Sequence, residues 1–226
     1  MEVAGARRLA VGDNERMSDR PPSGATRSLI ELLGELEEGL VRAVVDAKHE
    51  WHLPVVATVD AEGMPQARTV VLRGFERSGE APPRLRFHTD TRSGKIAEIA
   101  LDDRIGMLFY ERRHKVQLRI EGRAVVHVDD EIADAAWAAT NPSSRRCYLA
   151  PHPPSSALGQ WDPNLPEAWR GSLPDGEASE PGRSNFAVVK VRVRSIDRLE
   201  LHHDGHVRSR WRWADDGSVE STWLAP

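Results

Sequence analysis

The chain has 226 residues, enough for one sizeable core, and its 31 basic and 35 acidic residues leave a formal net charge of -4, which provides no general field for nucleic acid or an anionic membrane. One cysteine, Cys147, excludes an intrachain disulfide and a cysteine-rich zinc site. No stretch approaches the roughly 18 apolar residues of a membrane span and the first residues lack a secretory apolar run, so the expectation is a cytoplasmic protein with neither nucleic acid nor membrane as partner.

Residues 1–26 are rich in Arg, Gly, Asp, Ser and Pro without a sustained period, which reads as a flexible N-terminal arm ahead of a single domain over 27–226. From Ser28 the spacing of Leu29, Leu32, Leu33, Leu36, Leu40, Val41, Val44 and Val45 predicts an amphipathic helix, and Ser28 with Glu31 forms a capping-box signature. His49 and His52 behind it lack further ligands nearby, so they read as a structural helix end. A strand over 55–59, a Gly-containing turn at 60–63 and a return strand over 66–75 make a hairpin.

A strand over 85–89 and a short helix over 93–101 follow. Residues 105–110 are apolar on both faces and predict a central strand, whereas 116–128 alternates for much of its length. Residues 130–140 read as a helix packed around Trp137. Residues 141–183 hold eight of the fifteen prolines and predict a long irregular segment. Strands over 186–194 (continuing toward Leu201), 207–213 and 219–224 close the chain. Many short strands with helices inserted between them argue an antiparallel barrel carrying helices.

The segment 89–95 sits between a strand and a helix, where unpaired N–H groups, the Ser93 hydroxyl and the Lys95 ammonium would hold a phosphate. It is not a Walker loop, because Thr89 stands where the first glycine belongs and Ile96 follows Lys95. Arg68 lies among apolar residues on the return strand, where either a bound anion or a carboxylate on a neighbouring strand would compensate it. On the strand 207–213, Arg208, Arg210 and Arg212 share a face and require negative charge opposite, with Glu200 or Glu220 as candidates and an anionic ligand as the alternative. His202, His203 and His206 lie in a Gly-containing turn and read as solvated rather than as a metal site.

Arg68-Thr-Val-Val-Leu-Arg73, Phe87-His-Thr89 with Ser93 and Lys95, Gln117 five residues before Gly122, and the terminal Trp223-Leu-Ala-Pro226 resemble the FMN-binding split barrels of the pyridoxamine 5'-phosphate oxidase-like family, over about 54–226. The resemblance implies a mainly β, antiparallel split barrel with inserted helices, acting as an FMN-dependent oxidoreductase. It implies FMN contacts from Arg68, Val70, Val71, Leu72 and Arg73, from His88, Thr89, Arg92, Ser93 and Lys95, and from Gln117, His202 and Arg212. It further implies a homodimer with FMN between the subunits and substrate contacts from Ser143, Arg208 and Arg210.

Departures fall mainly in the substrate half. Gly94 stands where the family has a second phosphate-binding arginine, with Arg92 able to reach back. His202 replaces a tryptophan, Arg210 replaces a substrate histidine, and Ala135 and Ala139 replace a tyrosine and an arginine that hold substrate phosphate. The expectation is therefore an FMN-binding oxidoreductase for a small anionic substrate other than pyridoxamine phosphate, with a non-catalytic flavin, deazaflavin or haem module as the alternative.

Overall fold

A computed structural model describes residues 23–79 and 81–226, so most of the N-terminal arm lies outside the described residues. Among the described residues, nine antiparallel strands form one sheet: β1 (Val55–Val59), β2 (Pro65–Thr69), β3 (Leu72–Glu76), β4 (Arg84–Asp90), β5 (Arg104–Glu111), β6 (Val116–His127), β7 (Phe186–Glu200), β8 (Val207–Trp213) and β9 (Val219–Leu224). The main path runs β2-β1-β5-β6-β7-β4-β3, and β8 joins β7 and carries β9.

The path begins and ends on strands that are neighbours in sequence. If the sheet were flat, its six inter-strand steps would hold β2 and β3 about 29 Å apart. Val70 and Val71, which connect them, reach only about 11 Å. The sheet must therefore curl until its edges meet, and it does so without β2 and β3 pairing, leaving a split barrel. The return strand expected over 66–75 is thus two strands serving opposite edges. The long strand β7 bridges the architecture: β6 lies along one side, while β4 pairs with its first half and β8 with its last residues.

The core lies on one face. Across the sheet, Val56, Met107, Ile120, Ile196 and Trp211 stand in one cross-strand row, and all are buried. Helix α1 (Leu29–Val45) begins at Ser28, whose hydroxyl and backbone close the expected capping box with Glu31. It buries Leu32, Leu36, Leu40 and Ala43, each leucine stabilising the packing by roughly 1.5–3 kcal/mol. Val41 and Val45, expected on that face, are 53% and 83% exposed, because they lie one position further round than Leu40 and Val44. Gly39 is required: a Cβ there would meet the Trp51 ring at 2.5 Å. His52 Nδ1 donates to the Ala43 carbonyl at 2.7 Å and His49 Nδ1 accepts from the Trp51 N–H, so both histidines finish the helix end as expected.

Helix α2 (Gly94–Leu101) and helix α3 (Glu131–Ala138) are the other helices of a full two turns. Trp137 of α3, Tyr148, Phe186 and Val188 make a separate cluster on the other side of β7. Strand β5 is central, but its two faces differ: Ile105, Met107 and Phe109 are buried, whereas Leu108 and Tyr110 are about 40% exposed. No helix among the described residues is long and apolar enough to cross a membrane.

Candidate functional site

The end of β4, the start of α2 and the β1–β2 hairpin converge on one cluster. Alternation along β4 puts Thr89 on the core face with Leu85 and Phe87, and Ser93 is the residue that begins α2. Lys95 Nζ donates to Thr89 Oγ1 at 2.9 Å and to Ser93 Oγ at 3.1 Å. Arg68 stands opposite Val56 at the end of the core-face row; its guanidinium donates to Thr58 Oγ1 and, at 2.8 Å, to Glu98 Oε2. The carboxylate that answers Arg68 thus comes from α2 and not from a neighbouring strand.

Two cations and one carboxylate leave this cradle with an excess positive charge beside the N-terminus of α2. Burial pushes the Lys95 ammonium below its ordinary pKa and Arg68 pushes it further, against the opposing pull of Glu98 and Asp90. Every polar group that Lys95 touches is a hydroxyl, so the cradle offers donors to an anion. Thr58 and Glu98 were missed in the sequence. Glu98 carries a signal, standing one helical turn after Lys95; Thr58 carries none without the strand register.

Val70, Val71 and Leu72 form the link between the two sheet edges, with Val70 and Leu72 buried. Arg73 occupies an irregularity in the β3–β4 register. His88 is turned away from the cradle toward Phe186, with ring centroids 4.8 Å apart. Burial, followed by Arg86 and Arg73, pushes its pKa down to about 3. Arg92 does not reach the cradle: its side chain is held by Asp90 at 2.7 Å and 2.9 Å and by the Ala150 carbonyl. Ser143 lies in the short turn Pro142–Arg145, bonded to Asn141 Oδ1.

Gln117, Arg208, Arg210 and Arg212 lie on the opposite face of the sheet. The row Tyr110, Gln117, Leu199, Arg208 runs across β5 to β8, and Arg210 and Arg212 follow on the same side of β8. Of the two expected carboxylates, Glu200 does not answer these arginines. Glu200 is paired in register with Val207, which alternation places on the other face, and it is bonded to Arg198 at 2.8 Å. Glu220 sits opposite Arg212 in register.

Asp197 supplies the negative charge, accepting from Arg208 Nη2 at 2.9 Å and from Arg119 Nη2 at 2.9 Å. Burial pushes its pKa up, but the hydrogen bonds from Arg208 and Arg119 together outweigh that and hold it below its ordinary value. Arg210, directly opposite Asp197 in register, is left with a buried Nε that has no partner.

His202 opens the β7–β8 turn, where its N–H donates to His206 Nδ1 and its own Nδ1 accepts from the Asp204 N–H. His202, His203 and Asp204 bring one possible ligand atom each within 4.8 Å of one another, on a turn that already uses one ring nitrogen of His202.

Residues 36–128 match the family model for the pyridoxamine 5'-phosphate oxidase FMN-binding domain. A pyridoxine/pyridoxamine 5'-phosphate oxidase of Bradyrhizobium diazoefficiens is 26% identical over 216 residues, covering 85% of this chain and 93% of the relative. A pyridoxamine 5'-phosphate oxidase-related, FMN binding protein of Nostoc punctiforme shares the fold with a TM-score of 0.63 at 25% identity, covering 93% of this chain and 100% of that one. The chain belongs to the pyridoxamine 5'-phosphate oxidase-like family. An oxidase of the same name from Rubrobacter xylanophilus is 33% identical over 138 residues, 61% of this chain, which spans about half (54%) of that relative. The whole cradle and Gln117 fall within the span matched by the family model, while His202 and the arginines of β8 fall beyond it.

Proposed function

We propose that this chain is an FMN-dependent oxidoreductase for a small anionic substrate, working as a homodimer that holds FMN between its subunits. The observation that carries the reading is the cradle, in which Arg68 and Lys95 outnumber Glu98 and the Lys95 ammonium touches only the hydroxyls of Thr89 and Ser93. A phosphate satisfies that donor set, and its charge relieves the desolvated Lys95. FMN, when bound, supplies the hydride or electron chemistry. The residues of the chain fix its phosphate, orient its ring through Gln117 and Arg212, and receive the substrate anion at Arg210.

The same geometry supports the dimer. Arg68 and Thr89 lie on the core face of the sheet, Gln117 and Arg212 on the other. One ligand meets both sets when the second comes from another copy. The half-exposed Leu108 and Tyr110 lie beside Gln117 and Arg119, giving that face apolar area to cover on association.

Ala135 on α3 and Ala139, just after its end, are exposed and offer no polar side chain to hold a substrate phosphate, which favours a substrate other than pyridoxamine phosphate. The same feature supports a second reading, a flavin, deazaflavin or haem module without turnover. An absorbance spectrum of the purified protein distinguishes the three groups, and photoreduction followed by air distinguishes turnover from storage. Titration with FMN and riboflavin tests the cradle: FMN is expected to bind at least about tenfold more tightly, since each charge-assisted hydrogen bond contributes about 1.5–3 kcal/mol. Equal affinities would refute the phosphate assignment.

A further inference from the structure

A cavity of about 870 Å³ lies between α1, the turn Glu50–His52, the β5–β6 hairpin and the β7–β8 turn, a volume in the range of small-molecule sites. It shares no residue with the Arg68–Lys95 cradle. Part of its wall is apolar, formed by Leu32, Leu36 and Trp51, the last only 8% exposed.

Most charges along this wall are already answered. Arg27 is bonded to Glu35, His114 to Glu111, and Glu50 to Arg112. Arg113 and Lys115, at the exposed tip of the hairpin, have no side-chain partner among the described residues. Arg198, 7% exposed, gives Nη2 to Glu200 at 2.8 Å and keeps Nη1 buried without a partner. The groups left over are all cationic donors, so what satisfies them is an anion with acceptor oxygens.

We propose that this cavity is a second small-molecule site, for an organic anion bearing a carboxylate or phosphate monoester. The anion is held by Arg113 and Lys115 and its apolar body lies on Leu36 and Trp51. Arg198, its charge already matched by Glu200, adds one unpartnered donor, Nη1, at the floor. The turn Ser23–Thr26 covers that arginine: the Gly24 N–H donates to Glu200 at 2.9 Å, and a Cβ on Gly24 would lie 2.9 Å from Arg198 Nη1. A ligand reaches this nitrogen when that turn shifts.

The probes are benzoate and phenyl phosphate, with benzyl alcohol as the neutral control, titrated into the full chain while the Trp51 indole N–H is followed by NMR and assigned through Trp51→Phe. Saturable shifts are expected with both anions and not with the alcohol. The variant Arg113→Ser/Lys115→Asn, altered only at the exposed hairpin and with a residue that tolerates the positive φ of 54° at Lys115, is expected to bind about tenfold more weakly. Arg68→Ala/Lys95→Ala is expected to bind the probes unchanged, which separates this site from the cradle and its fate from that of the FMN reading. Equal binding of the alcohol, an unaffected hairpin variant, or no saturable shift at millimolar probe would each overturn the proposal.

Discussion

The two faces of the sheet both carry more arginine and lysine than carboxylate, yet they use the excess differently. On the core face Arg68 is matched by Glu98 while Lys95 rests on two hydroxyls, so one cation remains uncompensated at the mouth of a helix. On the other face Arg119, Arg208 and Arg210 gather around Asp197, which is occupied in tying β6 and β8 to β7. The first arrangement leaves a cation without a carboxylate, as the proposed phosphate site requires; the second spends its carboxylate on tying strands together and leaves the Arg210 guanidinium over. Charge excess alone therefore does not mark a site. What marks it is whether the fixed partner is a carboxylate or a neutral hydroxyl, since only the latter leaves charge for a ligand.

The largest expected effect breaks the cradle. Arg68→Ala/Lys95→Ala should lose FMN affinity by at least about a hundredfold, corresponding to roughly 3 kcal/mol, with little change in unfolding temperature, because both side chains are partly exposed. Mixing this variant with Gln117→Ala/Arg212→Ala sharpens the comparison between faces. If one site takes its two halves from different copies, mixed dimers regain one intact site and flavin absorbance returns on co-refolding. A mixture that stays colourless would place both halves on one chain, or separate the outer face from flavin binding altogether.

Next in size is an effect on acid stability at His88, adjacent to Thr89 but on the other side of β4. Its Nε2 is buried without a partner, and its pKa of about 3 in the fold lies below the ~6.5 of an unfolded histidine. The unfolded chain therefore takes up the proton first as pH falls. The stability in question is complete above about pH 6.5 and is lost progressively toward pH 3, by up to ~1.4 kcal/mol per pH unit, or about 2 kcal/mol at pH 5. His88→Leu should flatten that part of the profile in denaturant melts between pH 7 and 5. An unchanged slope would mean that this histidine titrates normally.

Much of this molecule was legible in its sequence because the informative signals were local. The Ser28–Glu31 capping box, the 93–101 helix and the alternation of β8 were each readable from a handful of neighbouring residues, and the motif order identified the family. What was not legible depended on register. The break at Val70 and Val71 lies inside an unbroken β-branched run, and only closure of the sheet places its two halves on opposite edges. Likewise Asp197 is eleven residues from Arg208 and seventy-eight from Arg119, and nothing in that spacing favours it over Glu200 or Glu220. Alternation decides, because Glu200 faces the core side of β7 and Asp197 the other. Val41 and Val45 were misplaced for a related reason: helical periodicity defines a stripe, while its edge is set by the partner surface.

The smallest expected effect tests the clamp itself. The Asp197 side chain is 9% exposed, but Arg119 is half exposed, so solvent screens part of their attraction. Asp197→Asn keeps the shape, removes the charge, and should cost about 1 kcal/mol of stability at pH 7. Because the folded pKa of Asp197 lies below its unfolded value, its contribution is present above about pH 3.9 and disappears as pH falls through the lower folded value. The asparagine variant should therefore lack that last acid limb while retaining the one assigned to His88. It also frees Arg208 on a face where Arg210 already lacks a partner, so the outer face should come to resemble the cradle, binding inorganic phosphate more tightly than the parent in low salt and losing the gain as salt is added. An unaltered acid limb together with unaltered phosphate binding would mean that Asp197 does not neutralise Arg208, and the distinction drawn between the two faces would fail at its outer half.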